Sequence, residues 1–138
     1  MHRYITYISA ILLAGATSLH AVPSLAQANQ ADVVQIGSGN FAVTAQDGFA
    51  NRATTVQVGT GNTASISQSG TGNTGIAVQV GSNFNAEIEQ SGTGSYAVVQ
   101  QVGDGAGSQT VRSVSRSSLS VSIGVGHRSA WSRASGWR

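Results

Sequence analysis

Of the 138 residues none is cysteine, none is lysine, only Pro23 is proline, and 9% are charged. Without cysteine there is no disulfide framework and no thiolate-ligated zinc site, and without lysine there is neither a Walker A loop nor a Schiff base. Histidine is scarce as well. His2 and His20 fall in a segment laid out like an export signal, which leaves His127 as the group titrating near neutrality. One histidine in a terminal segment supplies neither a Ser-His-Asp arrangement nor a metal centre, so no catalytic, metal or cofactor residue is assigned and no small-molecule substrate is expected. Scarce charge does not make the chain disordered: 40% of it is hydrophobic, and the apolar residues are regularly spaced.

The first residues follow a secretory layout. His2 and Arg3 precede an apolar run from Ile5 to Ala16, and Pro23 with the small residues Ser24, Ala26 and Ala28 follows. The run is shorter than the roughly 20 residues a membrane-crossing helix needs. The expectation is a signal peptide over 1–26, a short linker over 27–32 and an extracytoplasmic mature chain.

The middle of the chain repeats. Gln35, Gln46, Gln57, Gln68, Gln79, Gln90 and Gln101 are spaced by eleven, and each is followed two residues later by Gly37, Gly48, Gly59, Gly70, Gly81, Gly92 or Gly103. Asn40, Asn51, Asn62 and Asn73 stand five after the first four glutamines, with Phe84, Ser95 and Ala106 in the later copies. From Thr63 to Ser69 the side chains alternate, with Ala64, Ile66 and Gln68 on one side and serine or threonine on the other, a period of two. Gly70 to Asn73 then reads as a turn, because glycine and asparagine tolerate positive φ. The residue after each Gln is Ile36, Val58, Val80 or Val102 in odd units and Asp47, Ser69 or Ser91 in even ones, so the structural period is 22. The pattern predicts an all-β chain over 33–111: a β-solenoid of 22-residue coils, each two 11-residue strand-turn units, with two facing parallel sheets in cross-β stacking. Gln and Asn would stack on their own counterparts as amide ladders. The literal dinucleotide fingerprint G-T-G-N-T-G from Gly70 to Gly75 belongs to the repeated turn, with no helix after it. The last regular strand, Tyr96 to Val102, carries neither charge nor proline, so both stack ends are expected to be bare edges open to another copy.

This repeat resembles that of the curlin family, the subunits of bacterial curli and related functional amyloid fibres. QVGTGNTASISQ from Gln57 to Gln68 matches its S-x5-Q-x-G-x-G-N-x-A-x3-Q pattern best, with QIGSGNFAVTAQ from Gln35 to Gln46 next. The resemblance implies a secreted extracellular fibre subunit acting in adhesion and biofilm matrix, with assembly carried by the Gln and Asn ladders. It also implies three partners: other copies of the chain, a second curlin subunit, and an outer-membrane export machinery. Whether the chain is the major or the nucleating subunit stays open. The alternative is a soluble monomeric solenoid that binds ice or polysaccharide.

Two features lie outside the repeat. Val56, Val58, Ile76, Val78, Val80 and Val98 all fall on the outward side of the odd strands, where they make either ordinary strand residues or a lateral contact face. Residues 112–138 form a basic tail with Arg112, Arg116, Arg128, Arg133, Arg138, Trp131, Trp137 and no acid. The tail suits an anionic cell surface or polysaccharide, or acts as a spacer. Within it Leu119 to Val125 alternates like one more strand, lying on the valine face or extending the stack.

Overall fold

The structure, a computed structural model, describes residues 5–12, 16–20, 29–114 and 118–126. They form nine strands: β1 (Ile5–Leu12), β2 (Ala16–His20), β3 (Gln30–Ser38), β4 (Asn40–Phe49), β5 (Arg52–Thr60), β6 (Thr63–Thr71), β7 (Thr74–Thr93), β8 (Tyr96–Val114) and β9 (Leu119–Gly126). Alternation makes them strands with an inside and an outside. In β3 Ala31, Val33 and Gln35 are buried while Gln30, Asp32 and Val34 between them are half-buried.

The chain winds as a parallel β-solenoid. β3 pairs with β5, β5 with the first part of β7, and β7 with β8, placing Gln35, Gln57, Gln79 and Gln101 side by side. A second rank, β4, β6 and the later part of β7, aligns Gln46, Gln68 and Gln90. Partners along the ladders are 22 residues apart, and β9 continues the first rank beyond β8, which makes about four turns. Where the repeat leads to two separate sheets, hydrogen bonding joins all nine strands into one. The reason is at the corners: β7 and β8 stay extended there and pass from one rank to the other, β7 with a register shift between Ser82 and Phe84.

The turns are also tighter than the expected four residues. Only Gly39 separates β3 from β4, and only Gly72 and Asn73 separate β6 from β7. The first glycine of each turn stays in its strand and stacks on its counterpart. A Cβ on Gly59 would overlap the Gly81 carbonyl oxygen, and Gly59 has φ +122°, so space and backbone both demand glycine there. Ala50 and Asn83 take left-handed conformations at two corners, with φ of 54° and 58°.

The apolar core is thin and single. Ala31, Val33, Ala53, Ala77, Ala97 and Val99 from one rank meet Ala42, Ala64, Ile66, Ala86, Ile88 and Val111 from the other. Alanine dominates, which leaves width between the ranks for the glutamine side chains.

The two stack ends differ, and the expectation of bare edges does not hold at the first. There β2 pairs antiparallel with β3 and β1 pairs antiparallel with β4. At the other end β9 adds parallel to β8, with Tyr96 beside Leu119 and Val102 beside Val125. Of the two placements open to Leu119–Val125, the chain therefore takes extension of the stack. The parallel strands begin at Gln30, and β8 reaches Val114, so Arg112 lies within the solenoid.

Candidate functional site

The interior holds two glutamine ladders. In the first, Gln35 Nε2 donates to Gln57 Oε1 (2.6 Å), Gln57 to Gln79 (2.8 Å) and Gln79 to Gln101 (2.9 Å). In the second, Gln46 donates to Gln68 (2.7 Å) and Gln68 to Gln90 (2.8 Å). The second amide hydrogen goes across the core to a backbone carbonyl of the other rank: Gln46 to Gln30 O (2.9 Å), Gln57 to Phe41 O (3.0 Å), Gln68 to Arg52 O (2.9 Å), Gln79 to Thr63 O (2.9 Å) and Gln90 to Thr74 O (3.0 Å). A primary amide has two donors and one acceptor oxygen. An interior rung such as Gln57 or Gln68 uses all of them, which is how a fully buried amide is tolerated.

The asparagines serve the corners. Asn40 Oδ1 accepts the Asn62 N–H (3.1 Å), Asn62 Oδ1 that of Phe84 (3.1 Å), Asn51 Oδ1 that of Asn73 (3.1 Å) and Asn73 Oδ1 that of Ser95 (3.0 Å). Each Nδ2 reaches the carbonyl of a turn glycine one coil on, Asn40 to Gly59 (3.0 Å), Asn51 to Gly70 (3.1 Å), Asn62 to Gly81 (2.9 Å) and Asn73 to Gly92 (3.2 Å). Asn29, outside the sequence-based set, begins one of these columns: its Oδ1 accepts from the Asn51 backbone N–H (3.1 Å) and Nδ2 (3.2 Å). Its position 22 residues before Asn51 was the available signal.

The ladders have a direction. In every Gln–Gln bond Nε2 donates toward the later coil, so the first rungs are left with acceptors rather than donors. Gln35 Oε1 and Gln46 Oε1 are buried and have no hydrogen-bond partner. At the other end Gln101 turns its amide onto Asn85 O (3.2 Å) and Gly107 O (3.1 Å). The ladder positions after Gln101 and Gln90 hold Gly124 and Ser113. The amide of Gln109, from the opposite rank, fills the space a side chain on Gly124 would need, with its Oε1 buried and without a partner. The eleven-residue count misses this pair because Gly124 follows Gln101 by 23 residues.

The outward residues form columns of their own. Ile36, Val58, Val80, Val102 and Val125 run in register down one face, with Val34, Val56 and Val78 beside them and Ile76 next to Val98. Ile36, Val80 and Val102 are exposed, while Val56, Val58, Ile76, Val78 and Val98 are half-buried. The other rank is mostly polar outside, Phe41, Val43 and Val114 excepted, with Ser65 beside Glu87 and Ser67 beside Glu89. Arg112 Nε meets Glu89 Oε2 at 2.6 Å with side chains 68% and 40% exposed. An exposed pair of this kind is worth about 0–1 kcal/mol and is no anchor for the fold. Arg116, Arg128, Trp131, Arg133 and Trp137 lie outside the described residues.

A parallel solenoid with amide-laddered 22-residue coils defines a class of repeat protein, and comparison with known families specifies it. The family model of the curlin associated repeat matches residues 40–70 and again 59–92. Residues 40–92 of the chain thus carry the curlin associated repeat. No curated protein and no solved structure matched it.

Proposed function

We propose that this chain is a secreted structural subunit that adds edge to edge, strand on strand, into a curli-like amyloid fibre for cell adhesion and biofilm matrix. In the fibre the two ranks are facing sheets that continue from molecule to molecule in cross-β stacking. The observation that carries the reading is the pair of buried acceptors, Gln35 Oε1 and Gln46 Oε1, left without partners at the first rungs of the two ladders. A parallel strand with side-chain donors in register satisfies them, and other copies of the chain or a second curlin subunit are the partners with that chemistry. An outer-membrane export machinery delivers the chain, and the basic tail binds an anionic surface or polysaccharide. Nothing in this arrangement calls for catalysis.

The ice- or polysaccharide-binding alternative needs ranks of one residue type on a flat face. The columns holding the outward threonines do not repeat: Asp32, Thr54, Ile76 in one and Phe41, Thr63, Asn85 in another. The test is a thioflavin T time course on the chain from Gln27 onward at neutral pH, with and without preformed seeds. Seed-accelerated growth of cross-β fibres is the expected result. A β-rich protein that stays soluble and monomeric would overturn the reading.

A further inference from the structure

The edge that holds the two orphaned acceptors is the edge that the N-terminal strands cover. β2 lies antiparallel on β3, with Thr17 opposite Gln35, and β1 lies antiparallel on β4, with Thr6 opposite Gln46. These strands pair the backbone of the edge, yet Gln35 Oε1 and Gln46 Oε1 remain without partners beneath them. The cover therefore satisfies one of the two hydrogen-bonding systems of the stack. At the next junctions of the same ranks, β3 on β5 and β4 on β6, the pairing is parallel and in register, and there the backbone and the amides are satisfied together.

From this mismatch we infer that segment 5–20 is a provisional cap: while attached, it occupies the face on which a second copy of this chain docks, and its removal opens that face. The inference rests on the assembly reading above and on removal of 1–26. The occupant it commits to is the opposite end of a second copy, β9 with the later part of β8. That end supplies a parallel edge, and it places the Gln109 amide nitrogen at the position of the next rung, where the Gly124 side chain would be. Stacked in register, this amide stands in line with Gln35 Oε1 of the neighbour. A second copy thus satisfies the backbone and at least one amide ladder, whereas the N-terminal strands satisfy the backbone alone. An uncleaved chain keeps its other end free but cannot receive a neighbour on the covered one. The cap holds the face closed in the compartment where the chain is made, and processing couples export to growth.

The test uses the full chain with a site-specific protease sequence inserted between Ala26 and Gln27, added to preformed seeds and followed by thioflavin T fluorescence and sedimentation. Before cleavage, elongation is expected to be at least about tenfold slower, as for a face uncovered in one molecule in ten or fewer. After protease addition it should rise to the rate of the chain from Gln27 onward. A second variant separates pairing from mere attachment. Ile8→Pro with Ser18→Pro keeps the segment in place but prevents both strands from pairing, and should restore elongation without cleavage. Equal rates before and after cleavage would overturn the cap alone, as would a proline variant as slow as its parent. A cleaved chain that fails to elongate seeds at all would overturn the assembly reading and the cap with it.

Discussion

Replacing Gln57 by alanine tests the ladder at its best-satisfied rung. Gln57 is fully buried; it accepts from Gln35 (2.6 Å) and donates to Gln79 (2.8 Å) and to Phe41 O (3.0 Å). Truncation strands one donor hydrogen on Gln35, the acceptor of Gln79 and the Phe41 carbonyl, each away from water at about 1–3 kcal/mol. Partial collapse of the site tempers the sum, and a loss of about 4 kcal/mol is expected. Gln46→Ala is the internal control. Gln46 already has an unpartnered Oε1 and donates only to Gln68 Oε1 and Gln30 O, so its removal strands two groups and relieves one. Its expected loss is about 2 kcal/mol. Guanidinium unfolding of the full chain, followed by far-UV circular dichroism, should show the Gln57 midpoint lowered by about 1 M and the Gln46 midpoint by about half that. Equal losses for the two variants would refute the argument that a rung's worth follows from how completely its amide is satisfied. So would a Gln57→Ala chain within about 1 kcal/mol of the parent.

Three further outcomes follow from the same geometry. Gly59→Ala drives a Cβ into the Gly81 carbonyl oxygen and should cost about 3 kcal/mol or more, whereas Gly72→Ala, at φ +67° with nothing within 4 Å of its Cβ, should cost only about 1–2 kcal/mol from its left-handed backbone; the same unfolding assay compares them. Thr55 is buried with an unpartnered hydroxyl in a column with Val33, Ala77 and Val99, so Thr55→Val should stabilise by about 1–2 kcal/mol, measured as a raised midpoint. Replacing Val56, Val78 and Val80 by threonine leaves the interior untouched and should leave fibres forming but unbundled in electron micrographs; unchanged bundling would remove the lateral role of that face.

The period of the solenoid, its inward residues and its amide ladders were legible because one physical requirement repeats at every coil. A buried glutamine is tolerated only above another glutamine, so Gln35 to Gln101 keep their spacing without slippage. The corners were less legible. The first glycine of each turn reads as a loop residue by its conformational freedom, but Gly59 sits in a strand because its neighbour Gly81 allows no side chain at that spot. The last turn was hidden by one extra residue: Gly124 follows Gln101 by 23, and the rung it lacks comes from Gln109 on the other rank. Nor does composition reveal an antiparallel cover at the first edge. Ile5 to Ala16 is apolar for a reason of its own if it is an export signal, and the same apolar, β-branched residues also suit a strand.

The directionality of the ladders supplies a free-energy reason for growth that does not depend on apolar burial. In a single molecule about four turns long, the two first-rung acceptors, Gln35 Oε1 and Gln46 Oε1, are among the buried groups without partners, and these two alone cost about 2–6 kcal/mol in a stack that size. Adding a molecule in register brings the Gln109 amide against Gln35 Oε1 and the Ser113 hydroxyl against Gln46 Oε1, and the uncovered first rungs move to the new end. For a fibre of many copies the cost is therefore fixed per fibre rather than per molecule. A thin alanine core gives each coil little hydrophobic stabilisation, so the end term weighs heavily in the monomer and vanishes per subunit in the polymer. Such a balance favours long stacks over single ones, and it places control of assembly at the end where the two first-rung acceptors lie.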